Sequence, residues 1–96
     1  MDNDPNEIPP KGITVKNYPN PFNPQTTISL ELDNPGKIKI EIYNVRGQKV
    51  ELLTDDYYEA GKHNILWNAE AMPSGVYFYR IITDSASVTA KMILMK

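Results

Sequence analysis

The chain has 96 residues, with 10 basic and 12 acidic side chains, no cysteine and a formal net charge of −2. This length predicts one domain with one hydrophobic core, and the absence of cysteine excludes disulfides, thiolate catalysis and cysteine-ligated zinc. Because the two signs of charge are mixed along the chain, neither nucleic acid nor an anionic membrane is expected as a partner.

Residues 1–12 have the composition of a disordered linker. They hold three of the eight prolines, and Ile8 is isolated among Asp, Asn and Pro, so the segment adds little to a core. Calcium binding through its Asp and Asn side chains stays open as an alternative, although they lack EF-hand spacing. The N-terminus lacks the basic and apolar regions of a secretory signal, and no run of about 18 apolar residues predicts membrane insertion. We favour the interpretation that this chain is part of a larger protein, in which case any signal peptide would lie far upstream.

Seven short runs with the alternation of β-strands follow in chain order. They span residues 13–18, 26–32, 37–43, 48–54, 63–67, 76–83 and 87–95. Asn34, Pro35 and Gly36 predict a turn that joins the second and third runs in a hairpin. The third run presents one purely apolar face, formed by Ile38, Ile40 and Ile42.

The second half of the chain continues the alternation. Gly47 is suited to a turn with positive φ, and Val50 and Leu52 should then share one face of the fourth run. The polar residues 55–62 predict a loop. Trp67 in the fifth run, and Tyr77, Tyr79 and Ile81 in the sixth, are expected in the core, with Arg80 on the wet face. In the last run, the face shared by Val88, Ala90, Met92 and Leu94 is apolar.

Seven strands at about ten-residue spacing, without a helical period, are typical of a two-sheet antiparallel sandwich of the immunoglobulin-like type. The Cys and Trp pattern of antibody domains is missing, so the predicted architecture is closer to fibronectin type III. A small barrel is the alternative fold.

Five motifs occur in a fixed order within residues 13–96. They are NYPNPFNP at 17–24 with TTI at 26–28, IYNVRGQKV at 42–50, Gly61 with Trp67, SGVYFYR at 74–80, and KMILMK at 91–96. In this order and spacing they resemble the type A C-terminal sorting domains of the type IX secretion system, and the related domain of flagellar hook-capping proteins. Asn68 departs from the pattern, since the family often carries Asp there, but Asn can make the same turn.

The resemblance implies a non-catalytic signal that directs a larger cargo, linked to its N-terminus, across the outer membrane of a Gram-negative bacterium. The implied partners are the outer-membrane secretion machinery and its sortase, which often removes the domain and joins the cargo to surface lipopolysaccharide. The implied location is secreted or on the cell surface, after transit through the periplasm. We expect a monomer in isolation that binds no cofactor. The resemblance also gives structural roles to Gly47, Gly61, Trp67, Gly75 and Tyr77.

Two groups of residues are candidates for recognition by the machinery. In the first, Asn20, Pro21 and Phe22 form a proline-stiffened loop in which Phe22 could serve as an apolar anchor; the alternative is a strand-linking turn with Phe22 capping the core. In the second, the machinery could recognise Lys91 and Lys96 by their positive charge. The alternative is that they are solvent-exposed lysines of an edge strand, which deter sheet-to-sheet aggregation.

Other functions have weaker support in the sequence. Tyr57 and Tyr58, with Trp67, could form an aromatic platform in a carbohydrate-binding module, but two adjacent tyrosines in a strand point to opposite faces. His63 is the single histidine, Asp55 and Asp56 are expected as solvated turn residues, and no nucleophile elbow, phosphate loop or metal-ligand spacing occurs. We therefore predict no catalytic, cofactor-binding or metal-binding residue. The alternative function is a passive immunoglobulin-like spacer or a carbohydrate-binding module of a cell-surface or flagellar protein.

Overall fold

The computed structural model describes residues 13–84 and 86–96. The predicted linker at residues 1–12, with its alternative calcium site, lies outside the described residues. The described part contains seven strands: β1 (Ile13–Tyr18), β2 (Gln25–Leu32), β3 (Gly36–Asn44), β4 (Lys49–Tyr58), β5 (Gly61–Asn68), β6 (Gly75–Ile82) and β7 (Ser87–Leu94). No helix among these residues is long and apolar enough to cross a membrane.

The strands form two antiparallel sheets. One has three strands in the order β1-β2-β5, and the other has four in the order β4-β3-β6-β7. The two sheets bury a common set of apolar side chains between them. The predicted seven-stranded antiparallel β-sandwich is therefore confirmed.

The core follows the alternation of the strands. Ile38, Ile40 and Ile42 of β3 are buried as predicted, and so are Tyr77, Tyr79 and Ile81 of β6. In β7, Met92 and Leu94 are buried, while Val88 and Ala90 are partly buried against the same core. Each fully buried aliphatic or aromatic side chain stabilises the fold by about 1.5 to 3 kcal/mol, so both inner faces contribute to stability.

The predicted hairpin between the second and third strands is wrong. β2 pairs with β1 and β5, whereas β3 pairs with β4 and β6. The turn at residues 33–35 therefore carries the chain from one sheet to the other. The inner face of β3 is apolar, and that of β2 is apolar apart from Thr26, so the crossing lets these faces pack against each other across the core.

The predicted loop at residues 55–62 is also mostly wrong. β4 continues to Tyr58 and β5 begins at Gly61, so Asp55 and Asp56 lie within a strand. The pairing of β4 with β3 contains two register shifts, and these separate Val50, which packs against the core, from Leu52, which is 48 % exposed. β4 is polar because it is an edge strand with one face in solvent.

Candidate functional site

The direction of the strands gathers four loops at one end of the sandwich. β1, β3, β5 and β7 run toward this end, and β2, β4 and β6 start from it. The loops at this end are residues 19–24, 45–48, 69–74 and 95–96, and we call it the motif end because it holds parts of all five motifs. Ile13 begins β1 at the opposite end, so the chain that precedes Ile13 joins the domain away from the motif end.

Residues 20–22 lie along the outer edge of β7, and we call them the clasp. The Asn20 side chain accepts a hydrogen bond from the Ile93 amide at 3.0 Å and donates one to the Lys91 carbonyl at 3.3 Å. Phe22 adds two backbone bonds of 2.9 Å, donating to Ile93 and accepting from Met95. The clasp therefore satisfies peptide groups that an edge strand would otherwise leave open.

Phe22 belongs to a buried aromatic cluster. Its side chain is 2 % exposed, and its ring centre lies 5.7 Å from that of Trp67, which in turn lies 5.5 Å from that of Tyr77. The Trp67 indole donates to Glu51 at 2.9 Å, and the Tyr77 hydroxyl donates to the Pro73 carbonyl at 2.6 Å. Burial raises the pKa of Tyr77, which keeps the phenol protonated as a donor. Phe22 thus caps the core, and the exposed residues of the loop are Pro19, Asn20, Pro21 and Asn23.

The loop of residues 19–24 is also tied to the three-stranded sheet. Thr26 is buried and donates from its hydroxyl to the Pro19 carbonyl at 2.8 Å, and Asn17 donates to the same hydroxyl at 3.3 Å. The Ala69 amide donates to the Pro24 carbonyl at 2.9 Å. Thr26 belongs to the TTI segment that follows the Asn and Pro motif, but it was not predicted as a site residue.

The C-terminal lysines lie in different places. Lys96 is at the motif end, where its amide donates to the Ser74 hydroxyl at 3.1 Å and its ammonium group donates to the Glu70 carbonyl. Lys91 is exposed on the outer face of the four-stranded sheet, at its edge. The structure therefore groups Lys96 with Asn20 and Pro21 at one end, whereas the Lys91 side chain lies on a sheet face.

Turn chemistry explains the glycine and Asn positions of the motifs. Gly47 has φ of +81° in the turn between β3 and β4, where a side chain would be strained. Asn44 closes this turn by accepting from the amides of Arg46 at 2.9 Å and Gln48 at 3.0 Å. Asn68 accepts from the Glu70 amide at 3.0 Å, so it makes the turn expected of the family's Asp. The other two motif glycines, Gly61 and Gly75, open β5 and β6.

The aromatic platform of the carbohydrate alternative is not assembled. Trp67 is in the core, and Tyr58 turns inward, where its ring centre lies 5.0 Å from that of His63. Tyr57 is left alone on the surface. Among the described residues, no group of three His, Cys, Asp or Glu side chains could hold a metal ion.

Glu41 is a site residue that the sequence did not reveal. It lies on the outer face of β3 yet is only 6 % exposed. Its carboxylate accepts from the Tyr43 hydroxyl at 2.5 Å and from Lys49 at 3.3 Å. The Tyr43 hydrogen bond lowers the pKa of Glu41 below its ordinary value of 4.5, and Lys49 adds to this effect while burial opposes it.

The lowered pKa predicts a pH-dependent contribution to stability. At pH values above the ordinary pKa of Glu41, its ionised carboxylate stabilises the fold. This contribution is lost as the pH falls through the lower pKa of the folded state. Glu41→Gln should therefore cost about 1.5 to 3 kcal/mol at pH 6, and the difference from wild type should shrink at pH 3. Urea melts of the wild type and of Glu41→Gln measure this difference in unfolding free energy. Glu31→Gln, which changes an exposed carboxylate, is the control. An equal difference at both pH values would contradict the prediction.

Fold and loops together define a β-sandwich module whose sequence motifs converge on one end. The family profile described as "Secretion system C-terminal sorting domain" matches residues 16–95. The chain therefore belongs to this family, which confirms the resemblance in the sequence. No curated protein is significantly similar to the chain in sequence.

Two solved structures contain a domain of the same fold. The crystal structure of dimeric latent PorU from Porphyromonas gingivalis matches with a TM-score of 0.69 and 24 % identity, covering 93 % of this chain and 10 % of that one. PorZ, an essential surface component of the type IX secretion system of the same organism, matches with a TM-score of 0.59 and 23 % identity, covering 85 % and 11 %. The chain thus spans about a tenth of the length of each protein.

Membership in this family makes the domain a signal for type IX secretion. A protein that carries such a signal is secreted or displayed on the cell surface in Bacteroidetes. Sorting-signal domains are normally non-catalytic, and the domain works with the secretion machinery while attached to a cargo protein.

Proposed function

We propose that the secretion machinery recognises this domain at its motif end, while the cargo is attached at the opposite end. The observation that carries the proposal is the direction of the chain: Ile13 lies at one end, and the loops with Asn20, Pro21 and Lys96 lie at the other. This arrangement keeps a cargo of any size clear of the exposed motif loops.

The domain itself does no chemistry in this proposal. The cargo crosses the periplasm before it reaches the outer membrane, and a sortase of the machinery separates cargo from domain within residues 1–12. That segment holds three prolines and one isolated apolar residue, Ile8, which is the composition of a linker. The domain acts as a monomer, because the clasp and the edge lysine Lys91 both deter pairing of β7 with another sheet.

The experiment uses a periplasm-targeted fluorescent protein fused ahead of residue 1, in a host with an active type IX system. We expect this fusion to reach the surface or the medium. A small folded domain added after Lys96 should block export, because it covers the motif end, whereas the same domain inserted between reporter and residue 1 should not. Replacing residues 1–11 with a Gly and Ser chain should leave export intact and stop processing. Equal export with the extra domain at either position would contradict recognition at the motif end.

A further inference from the structure

The outer face of the four-stranded sheet is unusually apolar for a surface in solvent. A sheet that packs on one side normally carries polar residues on the other. On the outer face of β6, however, three of the four side chains are apolar, namely Val76, Phe78 and Ile82, and all three are half-buried. The central strand of the three-stranded sheet, β2, is polar on its outer face, where it carries Gln25, Thr27, Ser29 and Glu31. The exposed apolar side chains of that face, Tyr18 and Leu66, stand on its edge strands.

The register of the strands gathers these side chains into one patch. Phe78 lies between Tyr43 of β3 and Lys91 of β7, and Val76 lies beside Ile93. The Tyr43 hydroxyl is held by the buried carboxylate of Glu41 at 2.5 Å, which fixes the ring next to Phe78. The patch is therefore ordered before any partner binds, which reduces the entropic cost of association.

Cations surround this patch. The outward charged side chains of the sheet comprise five cations and two anions: Lys37, Lys39, Lys49, Arg80 and Lys91, with Glu41 and Asp55. Both anions are already paired, Glu41 with Lys49 at 3.3 Å and Asp55 with Lys37 at 3.7 Å. Arg80 and Lys91 have no ion pair within the described part of the chain. The face thus has a positive excess, although the whole chain carries a net charge of −2.

We propose that this face docks an acidic protein surface of the export machinery, an inference that rests on the proposed function. Protein interfaces combine an apolar, aromatic centre and Arg with a polar rim, which is the arrangement around Phe78 and Arg80. A second copy of the chain fits poorly, because a twofold contact would set these cations against themselves. The cations are spread over all four strands of the sheet, which suits dispersed carboxylates better than a single phosphate group.

Charge reversal on the two sheet faces tests the docking face. Arg80→Glu with Lys91→Glu should lower the exported fraction of the reporter fusion at least about tenfold, because it removes attraction and adds repulsion. Lys16→Glu with Lys62→Glu makes the same change of net charge on the outer face of the other sheet, and export should stay within about twofold of the unsubstituted fusion. Thermal melts should show that both variants remain folded. Equal export of the two folded variants would overturn the proposal.

A photo-crosslinking residue identifies the class of partner. Benzoylphenylalanine at Thr89, which is exposed beside Arg80 on this face, should yield an adduct with a protein peptide rich in Asp and Glu. The same residue at Thr14, on the outer face of the other sheet, should yield none. A glycolipid adduct, equal adducts from both positions, or no adduct from Thr89 would overturn the proposal. If the unsubstituted fusion is not exported, the proposed function fails, and the Thr89 result still decides whether this face docks an acidic protein.

Discussion

Replacing Trp67 with alanine is expected to lower the free energy of unfolding by about 3 to 5 kcal/mol, as large-to-small aromatic changes in cores do. The side chain is 1 % exposed and packs between Phe22 and Tyr77. Its indole also donates to Glu51 at 2.9 Å, which ties β5 of one sheet to β4 of the other. The change would therefore leave a cavity under the clasp and an unpaired carboxylate beside it.

The neighbouring residue supplies a matched control for this measurement. Leu66 lies on the opposite face of β5 and is 56 % exposed, so Leu66→Ala should change the unfolding free energy by less than about 0.5 kcal/mol. Trp67→Phe should fall between the two, because it keeps most of the apolar area and loses the indole hydrogen bond. Denaturant melts of the three variants decide the point, and a loss below about 1 kcal/mol for Trp67→Ala would show that the tryptophan does not hold the core.

Deleting residues 91–96 is expected to unfold the domain. The deletion removes the buried side chains Met92 and Leu94, and each such loss costs about 2 to 5 kcal/mol. It also removes the partners of the clasp, so Asn20 and Phe22 lose their hydrogen bonds to β7. At about 0.05 to 0.15 kcal/mol per residue, a domain of this size has a net stability of only about 5 to 15 kcal/mol. The loss of two buried side chains together with four clasp hydrogen bonds costs a similar amount, so the folded state should not persist. Circular dichroism and the dispersion of amide NMR signals measure the outcome.

This expectation changes how a truncation should be interpreted. Loss of export after the deletion would reflect unfolding as much as loss of a terminal signal. Lys91→Gln with Lys96→Gln keeps every buried side chain and removes only the two charges, so this variant should remain folded. A cooperative melt of the truncated domain within about 1 kcal/mol of wild type would contradict the structural role of the last strand.

The alternation of residues was sufficient to predict the inner faces of the strands. Successive side chains of a strand point to opposite faces, and one face of each sheet packs against the core. Ile38, Ile40 and Ile42 share one face and are therefore buried together. The same reasoning correctly predicted that Trp67 and Tyr77 are buried.

Pairing between strands could not be predicted in the same way. The turn at residues 33–35 has the composition of a hairpin turn, yet it joins two sheets, because turn residues specify a change of direction and not a partner. Val50 and Leu52 were assigned to one face, and the register shifts of β4 separate them. Such shifts depend on contacts with β3, which the sequence of β4 alone does not encode.

In the candidate site, too, local features could be predicted from the sequence and long-range contacts could not. The Asn and Pro motif was correctly identified as a distinctive loop, but Asn20 binds Ile93, 73 residues away in the chain. No local pattern predicts a contact over that separation. Glu41 alternates with isoleucines, a pattern that predicts an exposed side chain, whereas it is 6 % exposed and accepts a hydrogen bond from Tyr43 on the outer face.

The most direct test of this account is the fraction of a periplasm-targeted fluorescent reporter, fused ahead of residue 1, that reaches the surface or the medium. It should be measured in a Bacteroidetes host with an active type IX system and in the same host with that system inactivated. The account predicts that most of the reporter leaves the cell in the first host and that it remains periplasmic in the second. Retention of the folded, intact fusion in the periplasm of both hosts would contradict the account.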